Sequence, residues 1–178
     1  NVAAGNTNTV TAQYVPPGSP VGTAAVVTVP DDARVRVSRL TVAKEVCGSA
    51  QPADCTAGGT GPWQENGTAP TGSAVHWRIT VTNPGEADLT AITLNDSGEA
   101  TCMTAAGSFD LAAGATKAFF CSTANVVANK TNTVTAQYVP PGAAPGTLPV
   151  LTAPDGATVN VYGLTLANEA CASLSAAD

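Results

Sequence analysis

Charge is scarce in this sequence. Charged residues fill 11% of its 178 positions and aromatic residues 4%, whereas an ordinary globular protein is about one-quarter charged. Lysine and arginine together number 7 against 13 aspartates and glutamates, for a formal net charge of -6. A nucleic-acid-binding surface needs a basic stripe, and so few cations cannot build one. Long apolar runs are missing as well: nothing approaches the roughly 18 residues that would span a bilayer as a helix. No secretory leader is visible. The chain starts at Asn1 inside a patterned segment, so any leader is expected upstream.

What fills the space is Thr, Ala, Val, Gly and Pro, with 44% hydrophobic residues in all. Thr and Val favour strands, Gly and Pro favour turns, and the mixture is poor material for helices. Many of the hydrophobic side chains are small, so the core they form is thin and gains from covalent support.

An internal repeat organises the chain. Thr7 through Gly18 returns as Thr131 through Gly142 without a mismatch, an offset of 131 − 7 = 124. With that offset 1–54 lies over 125–178 without a gap, and 32 of the 54 aligned positions are identical. A period of this size is a whole domain, not a solenoid turn. The expected organisation is the C-terminal part of one repeat at 1–38, a complete repeat at 39–162 and the start of another at 163–178, with the natural protein continuing beyond.

The strand signal is alternation. In Val75–Thr82, Val75, Trp77, Ile79 and Val81 share one face, while His76, Arg78, Thr80 and Thr82 share the other. Asn83-Pro84-Gly85 reads as a turn. Ile92 and Leu94 mark the next strand, Phe109–Leu111 is a short one, and Thr116–Cys121 is a strand with Ala118 and Phe120 on one face. Val10, Ala12 and Tyr14 alternate with polar residues, as do Val134, Ala136 and Tyr138. No segment carries a convincing helical pattern. Many short strands punctuated by Gly and Pro predict an all-β sandwich. At Ser38-Arg39 the apolar parity switches from Val35 and Val37 to Leu40 and Val42, which predicts that one module's last strand runs directly into the next module's first strand. Without a flexible linker the array is expected to be stiff.

The complete repeat holds four cysteines, Cys47, Cys55, Cys102 and Cys121. Of the three connectivities open to four cysteines, the reading adopted pairs Cys47 with Cys55 and Cys102 with Cys121. Cys171, the counterpart of Cys47, then has its partner beyond the end. Each bridge contributes about 2–4 kcal/mol by restricting the unfolded chain, and disulfides imply an oxidising compartment. A zinc site fits poorly, because CxxC-type spacing is absent and His76 is the one histidine.

Leu40–Val46, Val75–Gly85, Leu89–Asp96, Phe109–Gly114 and Asn132–Ala136 together resemble the DUF11-type repeat modules of large bacterial surface proteins. The resemblance covers most of the complete repeat. It implies immunoglobulin-like β-sandwich modules in tandem, in the stalk of an adhesin or in a surface fibre, with no catalytic residues. The long Pro140–Asp155 segment departs from the pattern and reads as an extended arm or crossing loop.

Other candidate sites are weighed against plainer readings. His76 falls on the polar face of a strand, and Ser73, Ser97 and Ser108 lack a nucleophile motif. Asp31, Asp32, Asp96, Glu99 and Asp155 offer hard oxygens for calcium, but no calcium-loop motif is present and Gly156 replaces Asp32 in the second copy. Some pilin-like modules lock their first strand through a Lys–Asn isopeptide bond; Lys44 is suitably placed, but Asn168 replaces it in the second copy, which argues against a required crosslink. Asn66, Asn95 and Asn129 head glycosylation triplets. Trp63, in a Gly/Pro-rich loop, is a candidate contact for a glycan, or else a plug for one end of the sandwich.

The sequence therefore predicts a noncatalytic structural repeat of an extracellular filament or cell-surface stalk, stiffened by disulfides. Its expected partners are neighbouring repeats of the same protein, and it has no cofactor and no membrane span of its own. The alternatives are a glycan- or surface-binding β-sandwich module, with the Ser49–Thr71 loop in contact, and a noncatalytic appendage of a secreted enzyme.

Overall fold

A computed structural model describes residues 5–18, 27–48, 52–56, 61–142 and 151–164. Among these, strands dominate. A hairpin of β1 (Asn6–Tyr14) and β2 (Val27–Val35) forms a two-stranded sheet of its own. The remaining strands are β3 (Thr41–Cys47), β4 (Trp63–Gln64), β5 (Asn66–Pro70), β6 (Ser73–Thr82), β7 (Leu89–Asp96), β8 (Phe109–Leu111), β9 (Thr116–Val126), β10 (Lys130–Tyr138) and β11 (Leu151–Tyr162). They form a four-stranded sheet in the order β4-β3-β6-β9 and a five-stranded sheet in the order β5-β11-β10-β7-β8.

These two sheets face each other, because both core clusters draw side chains from each. One cluster joins Ile79, Val81 and Phe119 to Ile92, Leu94, Val134 and Tyr138. The other joins Val46, Val75 and Trp77 to Ala69, Ala157 and Val159. The alternation of β6 is realised in full: Val75, Trp77, Ile79 and Val81 are buried, and the residues between them are half-buried on the outer face. Burying each such side chain contributes about 1.5–3 kcal/mol.

The repeat in sequence is also a repeat in structure. β1 pairs with β2 from Asn6 opposite Val35 to Tyr14 opposite Val27. β10 pairs with β11 from Lys130 opposite Val159 to Tyr138 opposite Leu151. Every pair is displaced by 124 residues. The environments differ: Val134 and Tyr138 are buried beneath the four-stranded sheet, whereas Val10 is 62% and Tyr14 56% exposed. Between β2 and β3, residues 36–40 run outside either sheet. Glu86 donates its amide hydrogen to Val37 O at 2.9 Å, and Leu40 is the first residue of the segment to reach the core. The backbone here runs so close to Gly85 that a Cβ on it would lie 2.6 Å from Val37 O and 2.8 Å from Arg39 N.

Two expectations are corrected. Ala100–Ala106 is a short helix, α1. It is free of Gly and Pro, opens with a Cys102 N–H···O=C Glu99 bond of 3.1 Å and ends at Gly107, whose φ of 56° is the left-handed conformation that glycine adopts most readily. In β9 Ala118 and Phe120 share a face as expected, and it is the outer one, because the side chains that pack on the core are Phe119 and Cys121. Phe120 lies on the outer face, where its ring meets Trp63 edge-on at 5.7 Å. That contact also places Trp63 on the outside of the four-stranded sheet, not as a plug at the end of the sandwich.

Candidate functional site

The least ordinary feature of the interior is polar. Along β3, Val42 packs on one core cluster and Val46 belongs to the other. Lys44 lies between them on the same inward parity, with its side chain fully enclosed. Its Nζ donates a hydrogen bond to Asp96 Oδ2 on β7, and the Asp96 side chain is equally enclosed. The other carboxylate oxygen, Oδ1, accepts the amide hydrogens of Gly98 at 3.0 Å and Glu99 at 2.9 Å. The turn after β7 thus fixes the carboxylate independently of the lysine. The Lys44 backbone amide donates to Asp155 Oδ2 of β11 at 2.5 Å.

A second polar chain runs alongside. Trp77, whose ring centroid is 5.7 Å from Lys44 Nζ, donates its indole hydrogen to Thr123 Oγ1 at 2.8 Å. Thr123 donates to Glu99 Oε1, which also accepts from Lys130 Nζ at 2.8 Å. Burial is the main influence on the Lys44 amine and pulls its pKa below the usual lysine value. The hydrogen bond and charge of Asp96 oppose the shift, helped by Glu99, while Lys130 adds to it.

Two buried asparagines give a contrast. Asn83 is fully satisfied: Nδ2 donates to Ala87 O at 2.9 Å and Leu111 O at 3.0 Å, and Oδ1 accepts from Gly85 N at 3.0 Å. It braces the turn after β6. Asn132 on β10 is also 0% exposed, yet neither Nδ2 nor Oδ1 has a hydrogen-bond partner. A buried amide left unpaired costs about 1–3 kcal/mol. Asn132 lies two residues from Val134, which pairs directly with Asp96, so it is a diagonal neighbour of Asp96 on the inward face.

The residues singled out from sequence fall in several places. Cys47 is bonded to Cys55, with Cα atoms 5.6 Å apart, and Cys102 to Cys121, with Cα atoms 5.2 Å apart. Cys171 lies outside the described residues, as do parts of the Ser49–Thr71 loop and of the Pro140–Asp155 segment. Asn66, Asn95 and Asn129 are exposed, and Asn129 Oδ1 accepts the Val161 amide hydrogen at 2.7 Å. Trp63 is half-buried between Phe120 and the Arg78 guanidinium, 4.9 Å from its ring. Ser73 donates to Pro70 O and Ser97 bonds with Thr133, while Ser108 is exposed. His76 lines a cleft of about 270 Å³ beside Cys47, Cys55 and Tyr162, and Trp63 is not among its walls.

The acidic residues proposed for calcium do not converge. Asp31 and Asp32 are exposed on β2, Asp96 and Asp155 both serve Lys44, and Glu99 serves Lys130. Among the described residues, no three His, Cys, Asp or Glu side chains gather as a metal site. Among them also, no helix is long and apolar enough to cross a membrane.

Sequence reasoning weighed Lys44 for an isopeptide bond and Asp96 for calcium, and passed over Asn132. The available signal was parity: each is a polar residue at a position where alternation calls for an apolar one. The sequence pattern of DUF7617, a domain of unknown function, matches residues 37–158. Neither a curated protein nor a solved structure matches the chain.

Proposed function

This chain belongs to the DUF7617 family through more than half of its length, and we propose that it is a noncatalytic structural repeat of an extracellular filament or cell-surface stalk. In this reading 39–162 is one immunoglobulin-like unit of the DUF11 type, joined without a linker to the units before and after it. The observation that carries the proposal is the duplicated hairpin: β1–β2 and β10–β11 share one strand register at an offset of 124 residues. A spacer gains from repetition alone, whereas a single binding or catalytic site does not require it.

Contacts at the junction support a defined orientation between successive units. Glu86 of the complete unit accepts from Gly5 N at 3.2 Å and pairs with Arg34 at 3.2 Å, both from the preceding segment. The Arg34–Glu86 pair is exposed and adds little energy by itself, but the close approach at Gly85 fixes the chain path beside it. Two disulfides favour an oxidising, extracellular setting.

Electron microscopy of the native particle, together with the intact mass of its denatured chain, tests this reading. Thin rods with regularly spaced domains are expected. Compact globular particles, or domains scattered at random angles, would overturn it.

A further inference from the structure

We propose that Lys44 and Asn132 are joined by an intramolecular isopeptide bond, formed spontaneously in the folded protein with Asp96 carrying the proton. The inference goes beyond the structural role proposed above and does not depend on it. Its basis is a conjunction inside the core: a fully enclosed lysine, an enclosed carboxylate in contact with its amine, and an enclosed asparagine amide with no hydrogen-bond partner.

Gly98 ties the three together. Its amide hydrogen bonds to Asp96 Oδ1 at 3.0 Å. A Cβ built on it would come within 2.7 Å of Asn132 Oδ1. The Asn132 amide and the Asp96 carboxylate therefore border the same residue, and Lys44 Nζ holds the carboxylate's other oxygen. The lack of a side chain at position 98 leaves room for Asn132. No other partner accounts for an amide buried at this cost, whereas an amide that is a reactant needs none in the unreacted state.

The chemistry balances without a cofactor or an oxidant. Asp96 takes a proton from the Lys44 ammonium, leaving a neutral amine. Nζ attacks Asn132 Cγ, and a new C–N bond forms. Asp96 then delivers the proton to Asn132 Nδ2, the Cγ–Nδ2 bond breaks and ammonia leaves. The second Nζ proton is passed on through the same carboxylate, so the products are a secondary amide and one ammonium ion. Burial favours the neutral, nucleophilic state of the amine, and the fixed strands supply the orientation that makes amide exchange fast enough to occur. Asn168 stands at the position of Lys44 in the following copy, so the bond is a property of the 39–162 unit and not of each repeat. That replacement, which weighed against a required crosslink, leaves one in this unit open.

Mass spectrometry of the purified full chain decides the matter, with Lys44→Met, Asn132→Ala and Asp96→Ala as controls. The wild-type protein is expected to be lighter than its disulfide-bonded sequence mass by one ammonia. Its digest should contain one branched peptide joining the Lys44 and Asn132 segments, and all three variants should lack it. A full sequence mass overturns the proposal. So does loss of one water with a Lys44–Asp96 branch, or loss of ammonia without a branch, as a succinimide at Asn66-Gly67 would give. The wild-type measurement stands alone even where a variant fails to fold.

Discussion

Lys44 of β3 and Asp96 of β7 join their charged ends in the middle of the protein, each side chain wholly enclosed. Removing one partner of such a pair strands the other. In the Asn132→Ala background, where Lys44 keeps its amine, adding Asp96→Ala is expected to cost about 3–5 kcal/mol in urea unfolding. Replacing both partners with apolar residues, as in Lys44→Met with Asp96→Leu, should recover much of that loss. A loss well below 1 kcal/mol for Asp96→Ala would mean that the pair is not buried as described.

The Lys44 amine should also be visible in the pH dependence of stability, wherever it remains an amine. In Asn132→Ala its folded-state pKa lies below the ordinary 10.5, chiefly because of burial, with Asp96, Glu99 and Lys130 as its charged neighbours. Between that depressed value and 10.5 the unfolded chain binds more protons than the folded one, so stability rises with pH across the window. Readings below pH 10 avoid the opposing contribution of Tyr138, whose phenol is raised above its usual 10.0 by burial. In the crosslinked wild type this rise should be absent.

The two disulfides should differ in worth. They separate their cysteines by 19 and 8 residues, and loop-closure entropy assigns about 3 kcal/mol to the longer and about 2.5 to the shorter. Paired Cys→Ala variants, compared in denaturant, check both the size and the order. Losing Cys102–Cys121 should also release α1 from β9, seen as faster amide exchange across Ala100–Ala106.

Gly85→Ala is expected to loosen the junction without unfolding the unit. The added methyl group would run into the backbone at Val37 and Arg39, which cannot yield as the end of a side chain can. Trypsin cleavage after Arg36 and Arg39 should quicken, while the unfolding midpoint of the 39–162 core moves little. Unchanged cleavage would show that the segment does not rest on this turn.

Much of the architecture was legible because alternation is a direct physical signal. Val75, Trp77, Ile79 and Val81 could be assigned to one face from spacing alone, and the 124-residue repeat made five cysteines intelligible as two pairs and an extra. In β9 alternation put Ala118 and Phe120 on one face but left open which face is inward, because Phe119 and Phe120 are adjacent and both apolar; the β6 pairing register decides it. Helix α1 was missed because seven residues are too few to display a helical period. The polar centre was harder still. Val42-x-Lys44-x-Val46 and Asn132-x-Val134-x-Ala136 each place one polar residue in an apolar row, but only the fold reveals that the two rows meet.

Asp155 has a consequence for how this protein keeps to itself. Strand β4 pairs with β3 only at Val46 and Cys47; beyond them β11 packs beside β3 without pairing with it, and backbone groups left unpaired on that margin could template a foreign strand. The Asp155 carboxylate occupies the Lys44 amide hydrogen there and adds a negative charge that an incoming backbone carbonyl must displace. The margin of β3 is thus guarded against strand addition, and Asp155→Ala is the change that would lift the guard.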